Sequence, residues 1–317
     1  MSRPLAILGP TASGKSAVAM GVVAAVSSVR PSEIVSVDAM QIYRGMDIGT
    51  AKPIADERRR VPHHLIDLVD PSEEYTVARF QAEYLSVVAD LDRRGIAPVL
   101  VGGTGLYVRA VVDGLEIPGE WPEIRFRLES EIERLGARVL YERIAERDPV
   151  AASRIEPNNA RRIVRALEVI EGSGRPFSSF GPGVDVYPST DVFQVGLRWD
   201  REHLSRRIER RVHAMMDAGW LDEVAVLARR PLSRTAARAL GYQELFDHLA
   251  GRTSLDDAIG SIVLRTRQYA VRQERWFRRD PRIVWFDLPG DVDGVSDGDD
   301  SMSDVTERIS AQWLEQP

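Results

Sequence analysis

Gly9-Pro10-Thr11-Ala12-Ser13-Gly14-Lys15-Ser16 fits the pattern G-x-x-x-x-G-K-[ST]. A hydrophobic run, Leu5-Ala6-Ile7-Leu8, precedes it, and helix-forming residues follow it. In that setting glycines let the backbone wrap an anion, while consecutive N–H groups and a helix N-terminus supply positive potential. Lys15 then neutralises phosphoryl oxygens, and the Ser16 hydroxyl can ligate Mg²⁺. The motif is a P-loop of the kind found in nucleotide-binding proteins; it specifies a phosphate, not a compound. Forty of the 42 basic residues are arginine, and Lys15 and Lys52 are the exceptions.

Asp38 ends a second apolar run, Ile34-Val35-Ser36-Val37. A carboxylate there can hold Mg²⁺, act as a general base facing the P-loop, or cap a turn. The residues after it include Gln41, Tyr43, Asp47 and Gly49-Thr50-Ala51-Lys52-Pro53, too long and polar for a tight connection. They read as a substrate loop. Gly102-Gly103-Thr104-Gly105 ends a third run, where glycines allow close approach and Thr104 offers a hydroxyl; a plain strand–helix turn is the alternative. His63-His64 reads as structural, since adjacent side chains diverge and no further ligand cluster accompanies them.

Parallel strands would bring these pieces to one edge. Strand signals at 5–8, 34–37, 98–101, 192–197 and 283–286 alternate with helical patterns at 15–26, 76–94 and 105–112. This predicts an α/β fold, a P-loop NTPase-like parallel sheet flanked by helices, with its site at the strand C-termini. Residues 1–112 form the first part of the core. Residues 113–190 carry no strand signal and read as an all-helical insertion, with helices near 123–147 and 160–171. Residues 191–287 complete the core with a basic helical module, helical through 201–279. Residues 288–317, with Asp291, Asp293, Asp297, Asp299 and Asp300, read as an acidic tail, flexible up to a short terminal helix and dispensable for binding a partner.

Composition narrows the function classes. The 317 residues are 44% hydrophobic, so disorder as the overall state is excluded. Zero cysteines exclude disulfides, thiolate zinc sites and cysteine nucleophiles. No apolar run is long enough to span a membrane, and the early P-loop leaves no room for a signal peptide, which predicts a cytoplasmic protein. The net charge of −6 hides an asymmetry: residues 201–282 hold 17 arginines against 11 acids, while residues 283–317 hold one arginine against nine acids. With Arg161-Arg162-Ile163-Val164-Arg165, Arg238 to Gln243, and Arg272, Arg275 and Trp276, this basic and aromatic surface points to RNA. On a helix Arg161 and Arg165 share a face, while Ile163 and Val164 turn inward.

Gly9–Ser16 with Thr11, Ser36–Tyr43, Asp47–Pro53, Val101–Tyr107, Arg161–Val169 and Thr266–Trp276 together closely resemble the bacterial tRNA dimethylallyltransferases, also called tRNA isopentenyltransferases. The resemblance runs from about residue 4 to 287. Ser16 stands where threonine is more common and Ala39 where serine is usual. The family transfers a dimethylallyl group from dimethylallyl diphosphate to the N6 amine of adenosine 37, beside the tRNA anticodon, releasing diphosphate. The resemblance therefore implies that Gly9, Pro10, Thr11, Ala12, Ser13, Gly14, Lys15 and Ser16 bind the donor diphosphate, assisted by Arg207 or Arg211. It implies Mg²⁺ on Ser16, Asp38 as base and Thr11 near the bridging oxygen. It assigns tRNA contacts to Asp38, Ala39, Met40, Gln41, Thr104, Arg125, Arg161–Arg165, Arg238, Gly241, Tyr242, Gln243, Arg272, Gln273, Arg275 and Trp276. A monomer acting on the anticodon stem-loop is expected. A small-molecule kinase, an adenylate isopentenyltransferase using free AMP, and a non-enzymatic RNA binder are the other readings. Only the first two share Lys15 and Asp38 with the main one, and neither needs the arginine surfaces.

Overall fold

The computed structural model describes residues 3–181, 183–288 and 299–316, the first three of the last stretch by backbone alone. The chain divides into two compact units, Met1–Val112 with Ser189–Pro317, and Asp113–Pro188.

The first unit opens with β1 (Leu5–Leu8), α1 (Lys15–Val26), β2 (Ser32–Val37), α2 (Ala55–Arg60), β3 (His63–His64), α3 (Val77–Arg93), β4 (Ala97–Gly102) and α4 (Gly105–Val112). The second unit is helical: α5 (Pro122–Leu135), α6 (Ala137–Arg147), α7 (Pro149–Ala152) and α8 (Ala160–Ser173). The chain then returns as β5 (Phe193–Trp199), α9 (Arg201–Asp217), α10 (Trp220–Leu227), α11 (Arg234–Ala237), α12 (Tyr242–Leu249), α13 (Leu255–Phe277), β6 (Val284–Leu288) and α14 (Asp299–Leu314).

All six strands are parallel, in the order β3-β2-β4-β1-β5-β6. The fold is thus the expected α/β sheet. Side chains alternate along β1, so the sheet carries a core on each face. Leu5 and Ile7 join Val18, Val22 and Val26 of α1, whereas Ala6 and Leu8 join Phe80, Trp220 and Ile262. Parallel pairing carries the loops after β1, β2, β4 and β5 to one edge.

The structure refines three expectations. The helix expected over 123–147 is two helices, because Gly136 adopts φ 85° between them. The stretch 201–279 is five helices, interrupted at left-handed Gly219 and Gly241 and recapped by Ser233 and Ser254. The terminal helix expected in the tail is α14, 16 residues long, and it packs on α1, burying Val305, Ile309 and Trp313. Trp313 Nε1 donates to the Arg3 carbonyl at 2.8 Å, and the Arg30 guanidinium lies 5.0 Å above its ring. Asp291, Asp293 and Asp297 lie outside the described residues. His63 and His64, read as structural, form the edge strand; His64 Nε2 meets Glu33 Oε2 at 2.6 Å and His63 Nδ1 meets the Val61 carbonyl at 2.8 Å.

Candidate active site

The loop after β1 closes around its own backbone. Gly9, Ala12 and Gly14 have φ 150°, 63° and 87°, which turn successive amides inward. Gly14 is the N-cap of α1 and provides no side-chain cap, so the first-turn amides stay available to an anion. Side chains of α1, α9 and β5 hold the carbonyls of the loop. Lys15 Nζ donates to Pro10 at 2.6 Å, Arg207 Nε to Ala12 at 3.0 Å, and Trp199 Nε1 to Ser13 at 3.0 Å. Arg207 lies 4.5 Å over the Trp199 ring, which is also stacked with His203. The Ser16 hydroxyl, exposed on the first turn, makes no hydrogen bond among the described residues.

Asp38 sits at the end of β2 in a turn of its own making. Its Oδ1 accepts from the amides of Met40 at 2.8 Å and Gln41 at 3.2 Å, and Ala39 N donates to Thr104 Oγ1 at 3.3 Å. Gln41 holds the loop internally: its Oε1 accepts from Ser36 Oγ at 2.8 Å and its Nε2 donates to the carbonyls of Thr50 and Ala51.

One helix joins the strand-end loops. Gln273 of α13 is buried; its Oε1 accepts from Thr11 N and its Nε2 donates to Gly103 O, each at 2.8 Å. Trp276, one turn on, packs so closely on Gly105 that a Cβ there would fall 2.2 Å from its Nε1. Gln273, expected to touch RNA, stitches the loop after β1 to the loop after β4.

Charge concentrates where these loops meet. Burial, and then the neighbouring Arg211 guanidinium, push Lys15 down to about 7, with Asp38 opposing them. Arg211 is itself lowered by burial; Asp38 opposes this and Arg207 adds to it. Among the described residues no hydrogen bond or ion pair engages Arg211, which separates it from Arg207, whose Nε is taken by Ala12. Tyr269, one turn before Gln273 on the same face of α13, is pushed up to about 12 by burial and then by Asp38. Sequence reasoning missed Tyr269, although the i, i+4 spacing from Gln273 could have found it.

The Lys15 environment predicts how anion binding depends on pH. Below pH 7 the ammonium is present. As pH rises through 7 it loses its proton unless an anion holds it. Affinity for inorganic diphosphate, as a ratio of wild type to Lys15→Met, should therefore fall above pH 7, approaching about tenfold per pH unit. Titration calorimetry between pH 6.5 and 8.5 reads this ratio, and a flat ratio removes Lys15 from the anion site.

The other expected contact residues divide by exposure. In the first unit Arg238, Arg272 and Arg275 are exposed. Gly241 and Tyr242 are not surface residues. A Cβ on Gly241 would fall 2.1 Å from the Trp220 ring, and the buried Tyr242 donates its hydroxyl to Glu223 at 2.7 Å. Gln243 donates to Asp247 on its own helix. In the helical unit Arg161 and Arg162 are exposed, whereas Ile163 and Val164 are in the core, because the apolar face of α8 must be covered. Arg125 and Arg165 are engaged there: both pair with the fully buried Glu168, at 2.9 Å and 3.0 Å, and Arg165 also donates to the Pro118 carbonyl.

Known proteins match this chain along most of its length. A family model described as IPP transferase matches residues 41–280. The tRNA dimethylallyltransferase of Kineococcus radiotolerans is 48% identical over 309 residues, covering 96% of this chain and 94% of its own. That of Geobacter metallireducens is 46% identical, covering 93% and 95%. The crystal structure of the tRNA isopentenylpyrophosphate transferase of Bacillus halodurans superposes with a TM-score of 0.69 at 37% identity, covering 100% of this chain and 98% of that one. A eukaryotic dimethylallyltransferase acting on tRNA gives 0.79 at 27% identity, covering 100% and 81%. With the family model spanning residues 41–280 and relatives 46–48% identical along more than nine-tenths of the chain, this protein belongs to the IPP transferase family.

Proposed function

We propose that the enzyme transfers a dimethylallyl group from dimethylallyl diphosphate to the exocyclic N6 amine of adenosine 37 in the anticodon stem-loop of tRNA. The observation that carries this reading is the convergence of Lys15, Arg211 and Asp38 at one sheet edge: two cations for a diphosphate, and one carboxylate for a proton.

In the reaction the amine nitrogen attacks the allylic carbon. An N–C bond forms, the C–O bond to diphosphate breaks, and the nitrogen gives up a proton. Asp38 is the group to take that proton. Its Oδ1 is held by two amides, and among the described residues no hydrogen bond engages Oδ2. Lys15, Arg211 and the first-turn amides of α1 stabilise the departing diphosphate, which gains charge as the bond breaks. Thr11, its amide fixed by Gln273, lies in the same loop, and its hydroxyl would serve the bridging oxygen. A stacked adenine cannot reach a recessed donor, so the base must be flipped out of the anticodon loop. The exposed Arg161, Arg162, Arg238, Arg272 and Arg275 suit an RNA backbone.

Mg²⁺ fits this donor set. Among the described residues there is no cluster of three or more His, Asp or Glu side chains able to cage a metal. Mg²⁺ commonly keeps several waters and takes one or two protein oxygens along with phosphate oxygens. Ser16, a hard-oxygen donor at the open end of the P-loop, would hold it. Bound there, the ion would neutralise part of the diphosphate charge.

The test is transfer of label from dimethylallyl diphosphate to unmodified tRNA with Mg²⁺, run in parallel with AMP as acceptor and with ATP as donor. Label in tRNA alone is expected. Label in AMP would make the enzyme an adenylate isopentenyltransferase, and phosphate transfer from ATP would make it a kinase.

A further inference from the structure

The donor site accounts for one of the two lysines and leaves Lys52 without a role. Lys52 lies in the long polar loop that follows Asp38, and its side chain is only 1% exposed. Its ammonium donates to the Tyr43 carbonyl, to Asp47 Oδ1 at 2.7 Å and to Asp67 Oδ1 at 2.6 Å. An ammonium has three donors, so all three are engaged. Asp67 is tied in further: its Oδ2 accepts from Arg58 at 2.7 Å, and its amide donates to the Gln41 carbonyl at 3.0 Å. Lys52 therefore stands where three stretches of chain meet, at residues 41–43, at 47 and at 67.

The backbone here would not hold this shape by itself. Ala51, Leu65 and Asp67 all have positive φ, at 47°, 61° and 56°, a region that non-glycine residues rarely occupy. Such conformations persist when their surroundings over-determine them. On one side the Lys52 cluster does so. On the other, Glu223 of α10 accepts the amides of Asp47 and Ile48 at 2.8 Å each and of Gly49 at 3.3 Å. Gln41, whose Nε2 donates to Thr50 and Ala51 of this loop, is also one of the two residues whose amides orient Asp38.

We infer that Lys52 is a positioning residue for the acceptor: by gathering the Tyr43 carbonyl, Asp47 and Asp67 on one nitrogen it sets the loop through which Asp38–Gln41 meet the base. The inference rests on the function proposed above. It also accounts for a lysine in a chain whose other cations are almost all arginine. Three acceptors converge on a single atom, which a compact ammonium can serve. A planar guanidinium spreads its donors across a fork and cannot. Charge alone is not what the position requires.

The decisive variant is Lys52→Arg, which keeps the charge and removes the point geometry. Transfer by wild type to an anticodon stem-loop is measured first; its absence sinks the proposed function, and this inference with it. Given wild-type transfer, folded Lys52→Arg should show kcat/KM for the stem-loop reduced at least tenfold, with dimethylallyl diphosphate affinity within twofold of wild type. A merely structural lysine would lower the melting temperature and leave both constants of the folded fraction unchanged. That outcome overturns the inference, as does a parallel loss of donor affinity. Should Lys52→Arg not fold, Asp47→Asn removes one of the three partners more gently. It should reduce stem-loop kcat/KM at least threefold with donor affinity intact, and wild-type behaviour there overturns the inference as well.

Discussion

Asp38→Asn will lose transfer activity while keeping its fold and its tRNA affinity within several-fold. The reason is local. Asp38 Oδ1 accepts the amides of Met40 and Gln41, and an asparagine carbonyl can accept the same two bonds. The turn after β2 therefore survives, and with it the Ala39–Thr104 contact to the neighbouring loop. What asparagine cannot do is take a proton. General-base catalysis contributes roughly 10²–10⁴-fold, and the loss should appear in kcat, since neither donor nor acceptor binding depends on the missing charge to that degree. Asp38→Ala should lose as much turnover and in addition loosen the loop, raising the tRNA KM further. The measurement is single-turnover transfer with both substrates saturating. More than a tenth of wild-type turnover in Asp38→Asn would remove the residue from the base role.

The second large effect lies far from the chemistry. Trp313→Ala should destabilise the protein by about 3–5 kcal/mol, the range for large-to-small changes at fully buried aromatic sites. Trp313 is fully buried, its indole N–H donates to the Arg3 carbonyl, and the Arg30 guanidinium covers its ring while donating to its carbonyl. Truncation removes the indole, leaves a cavity beside α1 and orphans an acceptor on the N-terminal segment. Deleting residues 299–317 should do worse, because it uncovers the apolar face of α1, the helix that starts at the P-loop. Donor affinity should fall with it, since Met302 lies against Gly14: a Cβ on Gly14 would come within 2.7 Å of its sulfur. Urea denaturation of Trp313→Ala checks the first claim, and diphosphate titration of the truncated chain the second. A truncated protein with wild-type stability would show α14 to be an accessory.

These two predictions differ in how far the sequence alone supports them. Asp38 was legible because its signal is local: an apolar run ending in a carboxylate, in a chain with a P-loop one strand earlier. The same holds for the loop Gly9–Ser16, for five of the six strands described and for the helical character read for residues 113–190, all of which rest on composition and periodicity within a dozen or so residues. The edge strand His63–His64 was not legible, since two residues show no period and owe their place to β2. The acidic run after residue 288 left only a short terminal helix legible and hid the length of α14 and its packing, since Val305, Ile309 and Trp313 are buried because α1 offers a face to cover.

Within the site, the sequence by itself determined which residue types are present and roughly which edge they reach. Only the tertiary structure decided what each of them touches. Gln273 reads as one more polar residue in an arginine-rich helix until the fold brings it 2.8 Å from Thr11 N, 262 positions earlier. Tyr242 and Gln243 look alike in sequence, yet one faces Glu223 in the core and the other remains partly exposed. Arg207 and Arg211 are equivalent by helical spacing, but the fold gives Arg207 a P-loop carbonyl and the Trp199 ring while it buries Arg211 near Lys15 and Asp38. The physical reason is common to all these cases. Periodicity reports which face of an element is apolar, a property of neighbours in the chain. A hydrogen bond between residues 11 and 273, or a lysine closing on Tyr43, Asp47 and Asp67 at once, depends on chain closures that no local pattern encodes.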